Sequence, residues 1–293
     1  MEHFPDGHHV WLRSRALGTY LHADTDGQGV SLRDSRASLN AAWAVQHVHH
    51  GYELFLLLHG AAYGRYLAAT NTRPPIEIPG FRGCRVAQRG YESLEVGPIM
   101  WQAFGVGVLP GDHDVQLRGV DGRYLRANGR HLPWNHGASV DEFDHLSDMR
   151  HWIVEPIPAR EGMPALPGQI RPSFLQNLSK FVFGRVVAAA DRRSTRLIRF
   201  VRADDDGFYP EEEERWAEIP LTGRSVQHLR NQLALGVASF DIIMCVRAGR
   251  YGRLTPLVVD LPSGRNGDII EIVVYMVGTP AANGLRHPDV DAE

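Results

Sequence analysis

The feature that most constrains this chain is a short phrase that occurs three times in its first half. The phrase is a glycine, one residue, Tyr-Leu, one residue and Ala, and it stands at Gly18–Ala23, Gly64–Ala69 and Gly122–Ala127. Glycine reaches the positive φ values of tight turns without a steric penalty, so each copy predicts a hairpin. Three copies of one hairpin indicate an architecture with threefold repetition.

Each copy also follows a short apolar strand and precedes a lone tryptophan. The strands are predicted at 10–13, 54–58 and 115–118, and the tryptophans are Trp43, Trp101 and Trp152. Apolar residues alternate along these segments, so one repeat presents a small apolar face and cannot enclose a core alone. Three repeats around a shared axis would form a barrel with no open strand edge. The pattern predicts a mostly β chain that begins with a β-trefoil over residues 5–157.

The second half has a different composition. Closely spaced prolines predict a linker over 158–194, within which the apolar spacing of 173–182 is typical of a short helix. Over 195–280 the order is two strands, one helix and three strands, which predicts an α+β, ubiquitin-like β-grasp domain followed by a tail at 281–293. The predicted strands are 197–201, 216–221, 240–246, 257–261 and 269–277, and the predicted helix lies between an N-cap at Ser225 and Gly236.

Composition excludes several classes of function. The 293 residues carry a net charge of -3 with no basic stripe, so we expect no nucleic-acid partner. No window is apolar enough for a membrane span, and the first residues lack a secretory signal, so we expect no membrane partner and a cytoplasmic location, with the nucleus left open. The two cysteines, Cys84 and Cys245, are expected to be unpaired buried thiols.

The three tryptophans have two interpretations. Aromatic rings are sugar-stacking platforms in lectins of this fold, but ricin-type lectins carry Gln two residues before the tryptophan, and here those positions are Ala41, Ile99 and Arg150. Core packing is therefore the favoured interpretation. The carbohydrate alternative stays open through the aromatic loop residues Tyr91 and Trp134.

Metal and catalytic motifs are incomplete. The run 204–207 with Glu213 has an EF-hand-like frame, but Arg202 occupies the first ligand position. The paired or clustered histidines His8, His9, His47, His49 and His50 lack zinc-ligand spacing, and the glycines of 105–111 do not form a dinucleotide loop. No nucleophile motif occurs. The sequence therefore predicts a protein that is not an enzyme, with no cofactor or metal and with its binding residues unknown.

Several segments carry a family resemblance, namely Val10–Ser14, Gly18–Leu21, Ala42-Trp43, Arg199–Gly207, Gly223–Ser225 and Cys245–Leu257. In these the chain resembles a plant family of unknown function described as actin-cross-linking-like. The resemblance implies a fascin-like β-trefoil joined to a ubiquitin-like domain, F-actin as a candidate partner and a link to stress responses. We accordingly expect a non-catalytic intracellular protein-interaction or scaffold protein, with a lectin-like carbohydrate-binding module as the alternative. Because one trefoil offers one filament site, cross-linking would require a dimer.

Overall fold

The chain folds into two compact units. The computed structural model describes residues 2–74, 81–93, 96–105, 114–129, 136–142, 147–167, 195–212, 215–264 and 267–292. The first unit contains Met1–Gly162 with Ala248–Arg253 and Arg286–Glu293, and the second contains Met163–Arg247 with Leu254–Leu285. The helix predicted over 173–182 lies outside the described residues. No helix in these ranges is long and apolar enough to cross a membrane.

Twelve strands of the described residues build the first unit, four from each repeat. The first repeat contributes β1 (His9–Ser14), β2 (Tyr20–Ala23), β3 (Val30–Arg33) and β4 (Trp43–His50). The second contributes β5 (Glu53–Gly60), β6 (Tyr66–Ala69), β7 (Cys84–Arg89) and β8 (Trp101–Gly105), and the third β9 (Asp114–Gly119), β10 (Tyr124–Ala127), β11 (Ala138–Asp141) and β12 (Trp152–Ile157). Short 3-10 helices, Gly97–Ile99 and Asp148–Arg150, precede β8 and β12.

The first and fourth strands of the repeats form a closed ring. Antiparallel pairing runs from β1 through β4, β5, β8, β9 and β12 and returns to β1. The three remaining strand pairs, β2–β3, β6–β7 and β10–β11, are hairpins that form a cap. Because the ring closes on itself, its strands leave no edge open to pair with another chain. The β-trefoil prediction is confirmed.

The repeated phrase begins with a tight turn in each copy, in which the glycine amide bonds the carbonyl four residues back in the first two copies and three residues back in the third. Gly18, Gly64 and Gly122 have φ values of 71°, 66° and 85°. Their amides donate to carbonyl oxygens near the end of the preceding strand, at Ser14, Gly60 and Gly119, over 2.7 to 2.9 Å. Positive φ is strained for residues with a Cβ, which explains why glycine recurs here.

The three tryptophans occupy equivalent places in the barrel core. Trp43, Trp101 and Trp152 are 0% exposed and begin β4, β8 and β12. Each indole Nε1 donates to the carbonyl oxygen of the leucine in its own repeat's phrase, namely Leu21 at 2.9 Å, Leu67 at 2.9 Å and Leu125 at 3.0 Å. Buried indoles need such an acceptor because an unpaired N–H in the core is costly. The prediction of core packing is confirmed.

The second unit is a five-stranded mixed sheet with helices. Its elements are β13 (Thr195–Arg202), β14 (Ala217–Thr222), α1 (Val226–Gly236), β15 (Ile242–Arg247), β16 (Leu254–Pro256), β17 (Ile269–Met276) and the short α2 (Pro280–Asn283). The sheet order is β14-β13-β17-β15-β16, with β13 and β17 parallel. The Ser225 side chain accepts from the His228 amide and caps α1 as predicted. This ubiquitin-like fold is confirmed.

One predicted strand of the second unit is misplaced. Residues 257–261 are not a strand, and the strand in that region is β16, just before them. Leu257 and Leu261 are buried as irregular backbone, and their amides donate to the carbonyl oxygens of Met244 and Arg224. A short apolar run signals burial, but it does not specify which residues pair with a neighbouring strand.

Candidate functional site

The three hairpins of the trefoil cap line an open cavity of about 610 Å³, which we call the cap cavity. All three repeats contribute to it. Its lining residues include Asp24, Asp26, Gln28, Gly29 and Ser31 from the first hairpin, Thr70, Thr72, Phe81, Arg85 and Arg89 from the second, and His136, Gly137 and Ala138 from the third. Its volume lies within the range of about 300–1,000 Å³ that is common for small-molecule sites.

The first hairpin supplies two carboxylates to the cap cavity. Asp26 Oδ1 accepts from the amides of Gln28 and Gly29, each at 2.8 Å, which closes the turn. Asp24 Oδ1 accepts from the Ser31 hydroxyl at 2.5 Å. Each carboxylate is thus oriented through one oxygen, and no hydrogen bond from the described residues reaches the other oxygen. The arrangement leaves two fixed acceptors for a ligand.

The second hairpin supplies an aromatic ring, hydroxyls and two guanidinium groups. Thr70 Oγ1 donates to the Arg85 carbonyl at 2.6 Å and also accepts from the Thr72 amide at 3.1 Å. Along β7 the side chains of Arg85 and Arg89 are exposed, whereas the intervening Gln88 is buried. Alternate strand residues point to one face, so both arginines face the same way. Among the described residues neither guanidinium has an ion pair.

The third hairpin joins the other two through backbone contacts. The Leu32 amide donates to the His136 carbonyl at 2.7 Å, and Ser31 forms a bridge with Gly137. Ser139 in β11 pairs with Arg85 in β7. Through these contacts the cap is one connected layer, and the His136 side chain stands at the wall of the cap cavity.

Gln88 holds the first turn against the second hairpin. Its Nε2 donates to the carbonyl oxygens of Asp24 at 3.0 Å and Gly29 at 2.7 Å, and its amide donates to the Gln28 carbonyl at 2.8 Å. The side chain is 3% exposed. Because these bonds are buried, they set the position of the turn that carries Asp24 and Asp26 relative to β7. We call this turn the acidic turn.

A second cavity of about 400 Å³ lies beside the first and shares Arg89 with it. We call it the side cavity. Its other lining residues are Arg65, Gln88, Gly90, Tyr91, Glu92, Ser93, Pro98 and Ile99. Arg65 Nη1 donates to the Gly27 carbonyl at 2.9 Å, so its guanidinium is oriented by the first turn.

Tyr91, the aromatic loop residue of the carbohydrate alternative, is in the wall of the side cavity. Its ring meets Tyr66 edge-on, with 5.7 Å between centroids, and Tyr251 at 5.5 Å. Partial burial raises the pKa of its phenol. Its amide donates to the Ala248 carbonyl at 2.8 Å within the first unit. Trp134, the other aromatic candidate, lies outside the described residues.

Two histidines, the half-buried His9 and the buried His59, flank β4 in the barrel wall. His9 in β1 and His59 in β5 pair with Ala44 from opposite sides. Burial lowers the pKa of His9 to about 4 and that of His59 to about 3, and neighbouring charges add smaller effects. The groups near His9 are His8, Arg286 and His287, and those near His59 are His9, Arg253 and Asp6. Both rings are neutral at pH 7.

The remaining sequence candidates are dispersed. In the ranges that the structure describes, no three His, Cys, Asp or Glu side chains are grouped to hold a metal ion. Asp204 Oδ1 accepts from the amides of Asp206 and Phe208, which makes the acidic run a turn. Glu213 and most of the 105–111 segment lie outside the described residues. Cys84 and Cys245 are unpaired.

The segment 249–252 begins like the repeated phrase, with a glycine, one residue and a tyrosine, but lies in the second half of the chain. It connects β15 and β16 as a hairpin loop, but Ala248–Arg253 is grouped with the first unit. Its backbone hydrogen bonds explain this grouping: the Tyr251 amide donates to the Tyr91 carbonyl at 2.9 Å. The Arg253 amide donates to the Tyr66 hydroxyl, also at 2.9 Å.

No pattern in the sequence predicted the cap cavity. Its residues come from three hairpins that are far apart along the chain, and none of them forms a recognised motif. The positions directly after the repeated phrase differ between the repeats. The phrase ends at Ala23, Ala69 and Ala127, and the next residues are Asp24, Thr70 and Asn128. Asp24 and Thr70 line the cap cavity, whereas Asn128 is buried and donates to the Gly137 carbonyl and the Ser139 hydroxyl.

Two family models match the chain. Residues 1–155 match a family described as "Beta-trefoil domain of unknown function (DUF569)", and residues 194–275 match one described as "DUF569 associated ubiquitin-like domain". No curated protein matches the sequence.

Among solved structures, the chain is similar to three trefoil-sized proteins at low identity. The designed 3-fold symmetric protein ThreeFoil is 18% identical, with 50% of this chain and 97% of that chain covered and a TM-score of 0.40. The SDF2-like protein from Arabidopsis thaliana is 16% identical, with coverage of 52% and 93% and a TM-score of 0.43. SeviL, solved with an asialo-GM1 saccharide, is 12% identical, with coverage of 50% and 96% and a TM-score of 0.37. Similarity at this level supports no inference about a ligand.

Proposed function

This chain belongs to the DUF569 β-trefoil family, and from that premise we propose that it is a non-catalytic protein whose trefoil binds a saccharide in the cap cavity. The observation that carries the proposal is the donor and acceptor pattern of the cavity wall. A sugar presents hydroxyls that both donate and accept, together with apolar C–H faces. A site for it therefore needs fixed polar groups of both kinds and an aromatic surface.

The cap cavity offers each of these. Asp24 and Asp26 provide carboxylate acceptors whose orientation is set by the turn. Thr72 and Arg85 provide donors, and the half-buried ring of Phe81 provides an apolar face. A fixed carboxylate can accept from two adjacent sugar hydroxyls, which gives direction as well as affinity. The combination favours a polyhydroxylated ligand over an apolar one.

A binding role accounts for the two carboxylates without catalysis. In glycoside hydrolysis one carboxyl group donates a proton and the other attacks or activates water. Asp24 and Asp26 each use one oxygen to hold the hairpin, through Ser31 and through the turn amides. Both are on the same turn rather than on opposite walls of the cavity. We therefore assign them to hydroxyl recognition.

The test is a titration of the full chain with a panel of neutral and acidic oligosaccharides, followed by calorimetry. We expect binding, and we expect Asp24→Asn and Phe81→Ala each to weaken it at least about tenfold. Tyr52→Ala is the matched control, because Tyr52 is an aromatic residue that is fully exposed and outside both cavities. No binding to any member of the panel would refute the proposal.

A protein partner is a second candidate, favoured by exposed apolar side chains of the second unit. Phe208, Leu235 and Phe240 are 76%, 72% and 65% exposed, and aromatic side chains are enriched in protein interfaces. The association with F-actin that the family resemblance implies remains a prediction. Co-sedimentation with filaments tests it, and the absence of pelleting above the control without filaments would refute it.

A further inference from the structure

The cap cavity and the side cavity share Arg89, and three arginines line the two cavities. Arg85 lines the cap cavity, Arg89 lines both, and Arg65 lines the side cavity. Arg85 and Arg89 are four residues apart on β7, so their Cα atoms are separated by about 13 Å. That span exceeds one sugar ring, so a ligand of several units matches the spacing of the two arginines along the strand.

The arginines are available to a ligand. If Arg85 and Arg89 served to neutralise the nearby acidic turn, they would form ion pairs with Asp24 or Asp26. Among the described residues, Asp24 forms an ion pair with Arg33, whose Nη2 lies 3.7 Å from Asp24 Oδ1, and neither Arg85 nor Arg89 forms an ion pair. Two unpaired guanidinium groups on one face of a strand are suited to anionic groups, because each can bind a carboxylate through two parallel hydrogen bonds.

The negative charge of the acidic turn limits which anionic ligands the cap cavity can bind. Asp24 and Asp26 place negative charge in the cap cavity beside Arg85, so a ligand with charge at every position would be repelled there. A chain that alternates carboxylates with neutral hydroxyls fits better, because its hydroxyls donate to the aspartates while its carboxylates meet the arginines. Uronic acids have this composition.

We propose that the two cavities form a single groove for an acidic oligosaccharide of uronic-acid units. Arg85 and Arg89 bind carboxylates of successive or alternate units, Asp24 and Asp26 accept from hydroxyls, and Phe81 and Tyr91 contact sugar faces at the two ends of the groove. This inference rests on the proposed saccharide function and adds the class of saccharide to it.

The first test compares each acidic ligand with its own neutral form on the unmodified full chain. The probes are trimers of galacturonic, glucuronic, mannuronic and guluronic acid and their methyl esters, measured by calorimetry at low and at physiological salt. We expect at least one acid to bind at least about tenfold more tightly than its ester, with the preference reduced at higher salt. If every ester binds as well as its acid, the uronate assignment is wrong and the saccharide function stands. If neither form of any trimer binds, and the wider panel also shows no binding, both proposals are wrong.

The second test locates the contacts. Arg85→Gln and Arg89→Gln should each weaken binding of the acidic trimer about tenfold or more while changing binding of its ester less than about threefold. Arg118→Gln is the matched control, because Arg118 is an exposed strand arginine outside both cavities. A variant is scored only if its unfolding midpoint matches that of the unmodified chain. Equal loss of acid and ester binding, or no loss in either variant, would overturn the assignment of these arginines to the carboxylates.

Discussion

The barrel and the cap of the trefoil unit use the same three repeats in opposite ways. In the barrel the repeats are equivalent: each tryptophan is fully buried and donates to the leucine carbonyl of its own phrase. In the cap they diverge, since the chain between the paired strands has six residues in the first repeat (24–29), 14 in the second (70–83) and ten in the third (128–137), with different polar residues. Packing in the shared core therefore requires similar residues in the three repeats. The hairpin connections of the cap lie outside that core, so their residues differ and the site that they line is asymmetric.

The largest effect should come from removing a barrel tryptophan. Trp43→Ala, Trp101→Ala and Trp152→Ala should each lower the free energy of unfolding of the trefoil unit by about 3–5 kcal/mol, because a large buried side chain is replaced by a cavity. Urea unfolding followed by circular dichroism measures this, with Tyr52→Ala as the control. Equivalence of the three repeats predicts similar losses, so one variant that unfolds like the unmodified chain would break the comparison.

Acid should destabilise the barrel because His9 and His59 bind protons more weakly in the folded chain than in the unfolded chain. Folding holds the pKa of His9 near 4 and that of His59 near 3, below the ordinary value of 6.5. The unfolded chain therefore binds more protons, and the stability contributed by the neutral rings is complete above pH 6.5 and is lost as the pH falls toward 4 and then 3. We expect a loss of a few kcal/mol between pH 7 and pH 4.

Urea unfolding at a series of pH values measures this dependence. His59→Gln should make the pH profile shallower, because the substituted side chain does not titrate. An unchanged slope in that variant would show that other groups, not His59, cause the acid sensitivity.

A smaller effect should follow the loss of the buried link within the cap. Gln88→Ala removes the two hydrogen bonds to the carbonyls of Asp24 and Gly29 and should cost about 1–3 kcal/mol, because two buried hydrogen bonds are lost while each carbonyl keeps one backbone donor. It should also weaken saccharide binding, since the acidic turn is no longer held against β7. Thermal unfolding and calorimetry measure the two effects. A variant with unchanged stability would show that the turn is held by other contacts.

The smallest effect on stability is expected for the exposed arginines of the same strand. Arg85→Ala and Arg89→Ala should change the free energy of unfolding by less than about 0.5 kcal/mol, because they remove no buried contact. Within β7, the Gln88 variant thus tests packing, and the Arg89 variant tests ligand binding. A large loss of stability in either arginine variant would show that these residues support the fold rather than a ligand.

Much of the fold was predictable because its signals are local. The glycine phrase located the three turns, the tryptophan spacing located the core, and Ser225 marked the start of α1. The prediction for β16 was wrong by a few residues because burial, not pairing, is what an apolar run reports. The cap cavity was not predictable from any local signal.

The sequence by itself determined the threefold barrel, since a turn glycine, an apolar strand and a core tryptophan act over short distances and recur in each repeat. Only the tertiary structure decided the candidate site. Closure of the ring brings Asp24, Arg85 and His136, one from each hairpin, to the wall of one cavity. Their side chains carry no shared spacing, because the pairing of the hairpins in space, rather than their order along the chain, makes them neighbours.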